Sequence, residues 1–135
     1  VKDLRRLTGR VLAALRKSFT IPPIGTIVVE SYDSIKWEGQ YDGSVIRVRI
    51  GRKVTFPNNW DRIAQLPTWE DLYVGLLTWC VMLHFQKMVW TKRTPEERQG
   101  RKKYSRADCQ FFTVRMINRW RVDANMKMIF EKAGL

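Results

Sequence analysis

Histidine occurs once in this 135-residue chain, at His84, and cysteine twice, at Cys80 and Cys109. That scarcity removes whole classes of chemistry. A catalytic zinc site takes three protein ligands and an open position. Only Cys80 and His84, spaced i and i+4, with Cys109 joining from elsewhere, could approach that count, and a small core thiol is the commoner role for such cysteines. Two widely spaced cysteines make no disulfide framework and point to an intracellular compartment. Glycine is thin and forms no phosphate loop; Gly39 and Gly43 fall in a hairpin. No G-x-S-x-G elbow occurs, and Ser31, Ser34 and Ser44 have no histidine near them in sequence. The carboxylate pairs Glu70-Asp71 and Glu96-Glu97 open helices, where the helix dipole accounts for them. The apolar stretch Leu72–Phe85 has 14 residues, short of the roughly 20 that span a bilayer, so no membrane span is expected. The N-terminal "VKDLRRLTGRVLAALRKSF" interrupts its apolar residues with Arg10, Arg16 and Lys17 and is not a secretory signal.

Acidic residues are the other shortage. Thirteen Asp and Glu face 25 Lys and Arg, for a net charge of +12. Such an excess favours polyanionic partners: nucleic acid, an acidic protein or an anionic membrane surface.

What is present reads as one α+β domain over residues 1–135. Leu4, Leu7, Val11, Leu12, Leu15 and Phe19 recur at helical spacing with a basic outer face, and Pro22-Pro23 ends the helix. "TIVVES" (26–31) is a short β-branched strand. "SIKWEGQY" and "SVIRVRI" flank Asp42-Gly43, a hairpin turn signal. In the second arm, Ile46, Val48 and Ile50 form the buried face while Arg47 and Arg49 point outward. Residues 51–67 read as a loop with a turn at Pro57-Asn58-Asn59. Thr68 and Asp71 form a capping box for a helix running to about Trp90. Thr94-Pro95-Glu96-Glu97 and Ser105-Arg106-Ala107-Asp108 repeat the start signal, and Asp123 is placed to cap a last short helix ending near Gly134. The expected architecture is a small antiparallel sheet with a hairpin, packed against an N-terminal helix, a long central helix and C-terminal helices.

This order resembles the SprT-like (Spartan-type) zincin metallopeptidase domain. Leu12 to Phe19 is similar to that family's first helix, "IKWEGQYDGSVIRVRI" to its hairpin, "WEDLYVGLLTWCVMLHF" to its active-site helix and "ERQGRKKYSRADCQFF" to its third-ligand segment. The resemblance implies a metal-binding helix with His-Glu-x-x-His. In the register set by Asp71-Leu72, however, the two ligand positions hold Thr78 and Met82 and the general-base position holds Trp79. No imidazole pair and no carboxylate stand where the chemistry needs them. The implied scaffold has lost its active site, and neither catalysis nor a cofactor is expected.

From Lys92 to Arg121 ten basic residues face three acids. Arg93, Arg98, Arg101, Lys102, Lys103, Arg106, Arg115, Arg119 and Arg121 are the candidate anion-binding residues. "RQGRKKYSR" sets clustered cations beside Tyr104 and a flexible Gly100, a composition suited to phosphates and to stacking on an exposed base. Arg115 and Arg119, at i and i+4, share a helix face. No zinc finger, RNP motif or helix-turn-helix appears, so binding should follow the DNA or RNA backbone rather than base sequence. Six tryptophans, five of them (Trp37, Trp60, Trp69, Trp90 and Trp120) beside polar residues, add candidate protein contacts. The sequence therefore reads as a non-enzymatic structural subunit of a nucleic-acid-containing assembly, such as a phage or virus particle, with other protein subunits as partners. A free, sequence-nonspecific nucleic-acid-binding accessory protein is the alternative, and a metallopeptidase with atypical ligands a minor one. Either way the setting is intracellular or within a virus particle.

Overall fold

The computed structural model describes residues 4–31, 33–53 and 68–126. The order is α1 (Leu4–Ser18), β1 (Thr26–Ser31), β2 (Glu38–Tyr41), β3 (Val45–Ile50), α2 (Trp69–Thr91), α3 (Pro95–Arg98) and α4 (Arg106–Asp123). The expected turn at Pro57-Asn58-Asn59 and the short helix ending near Gly134 lie outside the described residues.

The strands form one mixed sheet in the order β1-β3-β2. Strand β3 pairs antiparallel with β2 across the Asp42-Gly43 hairpin, and parallel with β1, Ile27 opposite Ile46 and Val29 opposite Val48. The expectation of a wholly antiparallel sheet is corrected on this point. The reason is apolar content: β3 contributes the fully buried Ile46 and Val48 and takes the centre, while polar "EGQY" takes an edge. The hairpin is closed by Asp42, whose Oδ1 accepts from the Ser44 and Val45 amides at 3.0 and 2.8 Å. Those amides, Val45 first, hold its carboxyl below the usual aspartate range. Gly43 takes φ +105°, a conformation that favours glycine.

Helix α2 is the centre of the molecule. One side lies on the sheet, and the other packs α1 and α4. A helix covered on both sides has to be apolar all round, and Leu72, Val74, Leu77, Val81 and Met82 are each at most 2% exposed. Its length and composition would suffice to cross a membrane, yet about 61% of its most apolar window is buried inside the fold. Leu76, Cys80 and His84 follow one another at i, i+4 and i+8 along the sheet side. Gly39 on β2 makes the close approach possible: a Cβ there would stand 3.2 Å from Cys80 Sγ and 3.4 Å from Leu76 Cβ.

Polar bonds then fix the layers. The Thr8 hydroxyl and the Tyr73 phenol share a hydrogen bond between α1 and α2. At the start of α2 the capping box forms as the sequence predicts, with Asp71 N donating to Thr68 Oγ1 and Thr68 N donating to Asp71 Oδ2 at 2.8 Å. The same carboxylate receives Arg121 Nη1 from α4 at 2.5 Å.

Candidate functional site

The residues at the zincin register positions are core residues. Thr78 is 0% and Met82 2% exposed, and Trp79 is partly buried. Thr78 Oγ1 is buried without a hydrogen-bond partner among the described residues. His84 is committed to packing. The Pro23 carbonyl can only accept, so Nε2, 3.2 Å away, donates to it, and Nδ1 shares a hydrogen bond with the Tyr41 hydroxyl at 2.7 Å. Burial, with Tyr104 nearby as the next cause, pushes the Tyr41 phenol up to about 12. Burial likewise pushes both thiols up to about 12, with Cys109 adding to Cys80 and Asp108 adding to Cys109. Thiols held protonated are poor nucleophiles and poor metal ligands. Among the described residues no group of three or more His, Cys, Asp or Glu could hold a metal ion.

The basic residues are sorted by the fold rather than spread over one surface. Arg121 is 7% exposed and paired with fully buried Asp71. Its expected place on an anion-binding face is therefore corrected: the side chain ties the C-terminal half of α4 to the start of α2. Arg98 turns back onto α2. Its Nε donates to the Trp90 carbonyl at 3.2 Å and its Nη2 to the Thr91 carbonyl at 3.4 Å, and its guanidinium lies 5.4 Å from the Trp90 ring centroid. A cation on the last carbonyls of a helix is favoured by the dipole. Arg115 lies over Phe111 at 5.3 Å. On the outer sheet face, Arg49 is bonded to Glu30 at 3.1 Å with Glu38 at 3.9 Å, so that part of the sheet is neutralised. Trp37 is 2% exposed and belongs to the core; Trp69, Trp90 and Trp120 are partly buried, and Trp60 lies outside the described residues.

Five expected residues gather at the α2–α4 linker: Arg93, Arg101, Lys102 and Lys103 on it, and Arg106 where it enters α4. None has a carboxylate within 4.0 Å among the described residues. The linker is built, not loose. Thr94 and Glu97 form a capping box around Pro95, which holds the Glu97 carboxyl below its usual range. Gly100 takes φ +74° as a turn residue, and Arg101 N donates to the Arg98 carbonyl at 3.0 Å. Gln86 on α2 staples the far end: its Oε1 accepts from Ser105 N at 3.0 Å and its Nε2 donates to the Ser105 carbonyl at 3.1 Å. Ser105 in turn caps α4 through Asp108 N at 3.2 Å. Gln86 carried no signal in the sequence, because its role depends on a residue 19 positions away.

A pocket of about 230 Å³ lies between α2 and this linker, lined by the apolar Phe85, Val89 and Trp90 and by the cations Arg93, Lys102 and Lys103. A second groove of about 260 Å³ lies between α1 and α4, over Leu7, Val11 and Met116. Arg119 lines it together with Lys17 and Arg10, the last paired with Asp123 at 3.3 Å and lying 5.6 Å from the Trp120 ring centroid. Arg119 and Arg106 sit thirteen residues apart on one helix, about 20 Å at the helical rise. The two basic clusters thus occupy opposite ends of α4. The sequence shows one charged run; the helix divides it.

Neither a family model, nor a curated protein, nor a solved structure matches the chain.

Proposed function

We propose that the protein is a non-enzymatic structural subunit of a nucleic-acid-containing assembly, such as a phage or virus particle. Its α2–α4 linker lies on the DNA or RNA backbone, and its α1–α4 groove faces a neighbouring protein subunit. One observation carries this reading: six cations at the linker (Lys92, Arg93, Arg101, Lys102, Lys103 and Arg106) with no carboxylate in ion-pair distance among the described residues, on a segment held by two caps and the Gln86–Ser105 staple. Glu97 acts on Arg93 and Arg101 at a distance, and Lys103 Nζ lies 5.4 Å from the Tyr104 ring centroid, but cations outside close ion pairs keep most of their charge for an external polyanion. The likeness to Spartan-type zincins enters only as a scaffold, since Thr78, Trp79 and Met82 supply no ligand and no base.

The test is sedimentation of the protein from its source lysate at moderate salt, with and without nuclease. A subunit stays in a fast-sedimenting particle after digestion. A protein that falls to the size of a 16 kDa chain is instead a free accessory binder using the same linker. Reversing Arg101, Lys102 and Lys103 to Glu should abolish nucleic-acid binding with the circular dichroism spectrum unchanged. Undiminished binding by that variant removes the linker from the proposal.

A further inference from the structure

We propose that the pocket over Trp90 takes one unstacked nucleobase, so that the protein holds single-stranded nucleic acid in preference to duplex. This rests on reading the linker as a backbone-binding surface. The pocket holds about 230 Å³, below the usual range for drug-sized ligands and suited to a single flat ring system. Its lining joins the aromatic Phe85 and Trp90 to the cations Arg93, Lys102 and Lys103, the pairing by which single-strand binders stack a base and follow the phosphates on either side.

The indole is braced for this role. Arg98 lies 5.4 Å from the Trp90 ring centroid and is not among the residues that line the pocket. Its bonds to the Trp90 and Thr91 carbonyls fix the end of α2 from which the ring projects. Two further lining residues, Gln86 and Ser105, are fixed by their reciprocal bonds. Asp108 also lines the pocket. A carboxylate repels phosphate and accepts from the amino or imino N–H of a base. It therefore orients the nucleotide, base inward and phosphates outward toward Arg93, Lys102 and Lys103. Bases in a duplex are stacked and cannot enter such a recess without being flipped out, which costs unstacking and unpairing energy.

The experiment uses the full chain and fluorescence anisotropy at fixed low salt. Three labelled probes are compared: an oligodeoxycytidylate of about 12 nucleotides, within ordinary single-strand site sizes; an abasic strand with the same number of phosphates; and a duplex of the same length. The cytidylate should bind between roughly fivefold and a hundredfold tighter than the abasic strand, the range for one stacked base, and tighter than the duplex. Trp90→Leu should remove that difference while leaving abasic binding unchanged, and Trp90→Phe should retain part of it. The comparison with the native chain stands even if Trp90→Leu fails to fold. Equal, salt-sensitive binding of cytidylate and abasic strands overturns the base pocket and leaves the backbone reading intact. Duplex binding as tight as the single strand also overturns it. If none of the three probes binds at low salt, the backbone reading falls and the pocket with it.

Discussion

Replacing Arg121 with Met separates a structural cation from a ligand-binding one. In the fold, Arg121 Nη1 lies 2.5 Å from Asp71 Oδ2, with the two side chains 8% and 0% exposed. Removing the guanidinium leaves a buried carboxylate whose remaining bonds come from Thr68, through its amide at 2.8 Å and its hydroxyl at 3.0 Å. Breaking a buried pair from one side costs about 3–5 kcal/mol. A domain of this size is stable by only about 5–15 kcal/mol. With a urea m-value near 2 kcal/mol/M, the midpoint should fall by about 2 M. The double variant Arg121→Met, Asp71→Leu removes both charges and should recover most of that loss. What remains is about 1 kcal/mol for the lost cap. Arg121→Lys tests the planar fork, and should sit between native and Met. The assay is equilibrium urea denaturation followed by tryptophan fluorescence and circular dichroism together. If Arg121→Met unfolds within about 0.5 kcal/mol of native, the range of ordinary surface changes, and nucleic-acid affinity falls instead, then Arg121 is a surface contact and the buried tie is wrong.

Gly39→Ala should destabilise by about 1–3 kcal/mol, the cost of overpacking, because its Cβ would crowd Cys80 Sγ and Leu76. Gly9→Ala, in the exposed middle of α1 with nothing within 4 Å, should stabilise by about 0.5–1 kcal/mol; thermal melts that move in the same direction for both would contradict the packing described here. Cys80 and Cys109 titrate near 12 in the fold against 9.0 for an ordinary thiol. The native state therefore keeps protons that the unfolded chain releases, and stability should fall as pH rises from about 9 toward 12, by up to about 1.4 kcal/mol per pH unit per thiol. Urea midpoints between about pH 9 and 10 should flatten in the Cys80→Ala, Cys109→Ala variant, while the raised Tyr41 and Tyr73 phenols keep a slope above pH 10; iodoacetamide at pH 9 should label the native protein slowly and the unfolded chain fast.

Local signals in the sequence mark local structure faithfully. "TIVVES" is β1, Asp42-Gly43 closes the hairpin, and the Thr68, Thr94 and Ser105 caps open their helices where hydroxyl spacing places them. These features need only residues within a few positions of each other. What the sequence does not carry is partnership at a distance. Parallel pairing of β1 with β3 places Thr26 opposite Val45, a choice made by which strand has the most apolar face to bury, not by any turn. Arg121 reads as one more cation in a basic run until α4 packs on α2 and Asp71 arrives from 50 residues away. Arg98 reads the same way until α3 folds it back onto the end of α2. Trp37 sits beside Lys36 and Glu38 in sequence, yet the sheet turns it into the core. A charged or aromatic residue reveals its type in the sequence, and its availability only in the fold.

Availability can be counted in solution. Each phosphate neutralised on duplex DNA contributes about −0.9 to the slope of log affinity against log salt, and about −0.7 on a single strand. Were all nine expected residues on one surface, a duplex would show a slope of about −8. The fold withdraws Arg121 into its pair with Asp71 and Arg98 onto the α2 carbonyls, and carries Arg115 and Arg119 along α4 away from the linker. Five of the nine remain at the linker, and the exposed Lys92 beside them makes six cations, which gives a duplex slope of about −5 and a single-strand slope of about −4. Adding Arg119→Gln should leave the slope where it is, because that residue lines the other groove; Lys102→Gln should reduce it by a little less than one. A native slope near −8, or a slope that shifts with Arg119 as much as with Lys102, would mean that nucleic acid spans both ends of α4, and that the α1–α4 groove is part of its path rather than a seat for a neighbouring subunit.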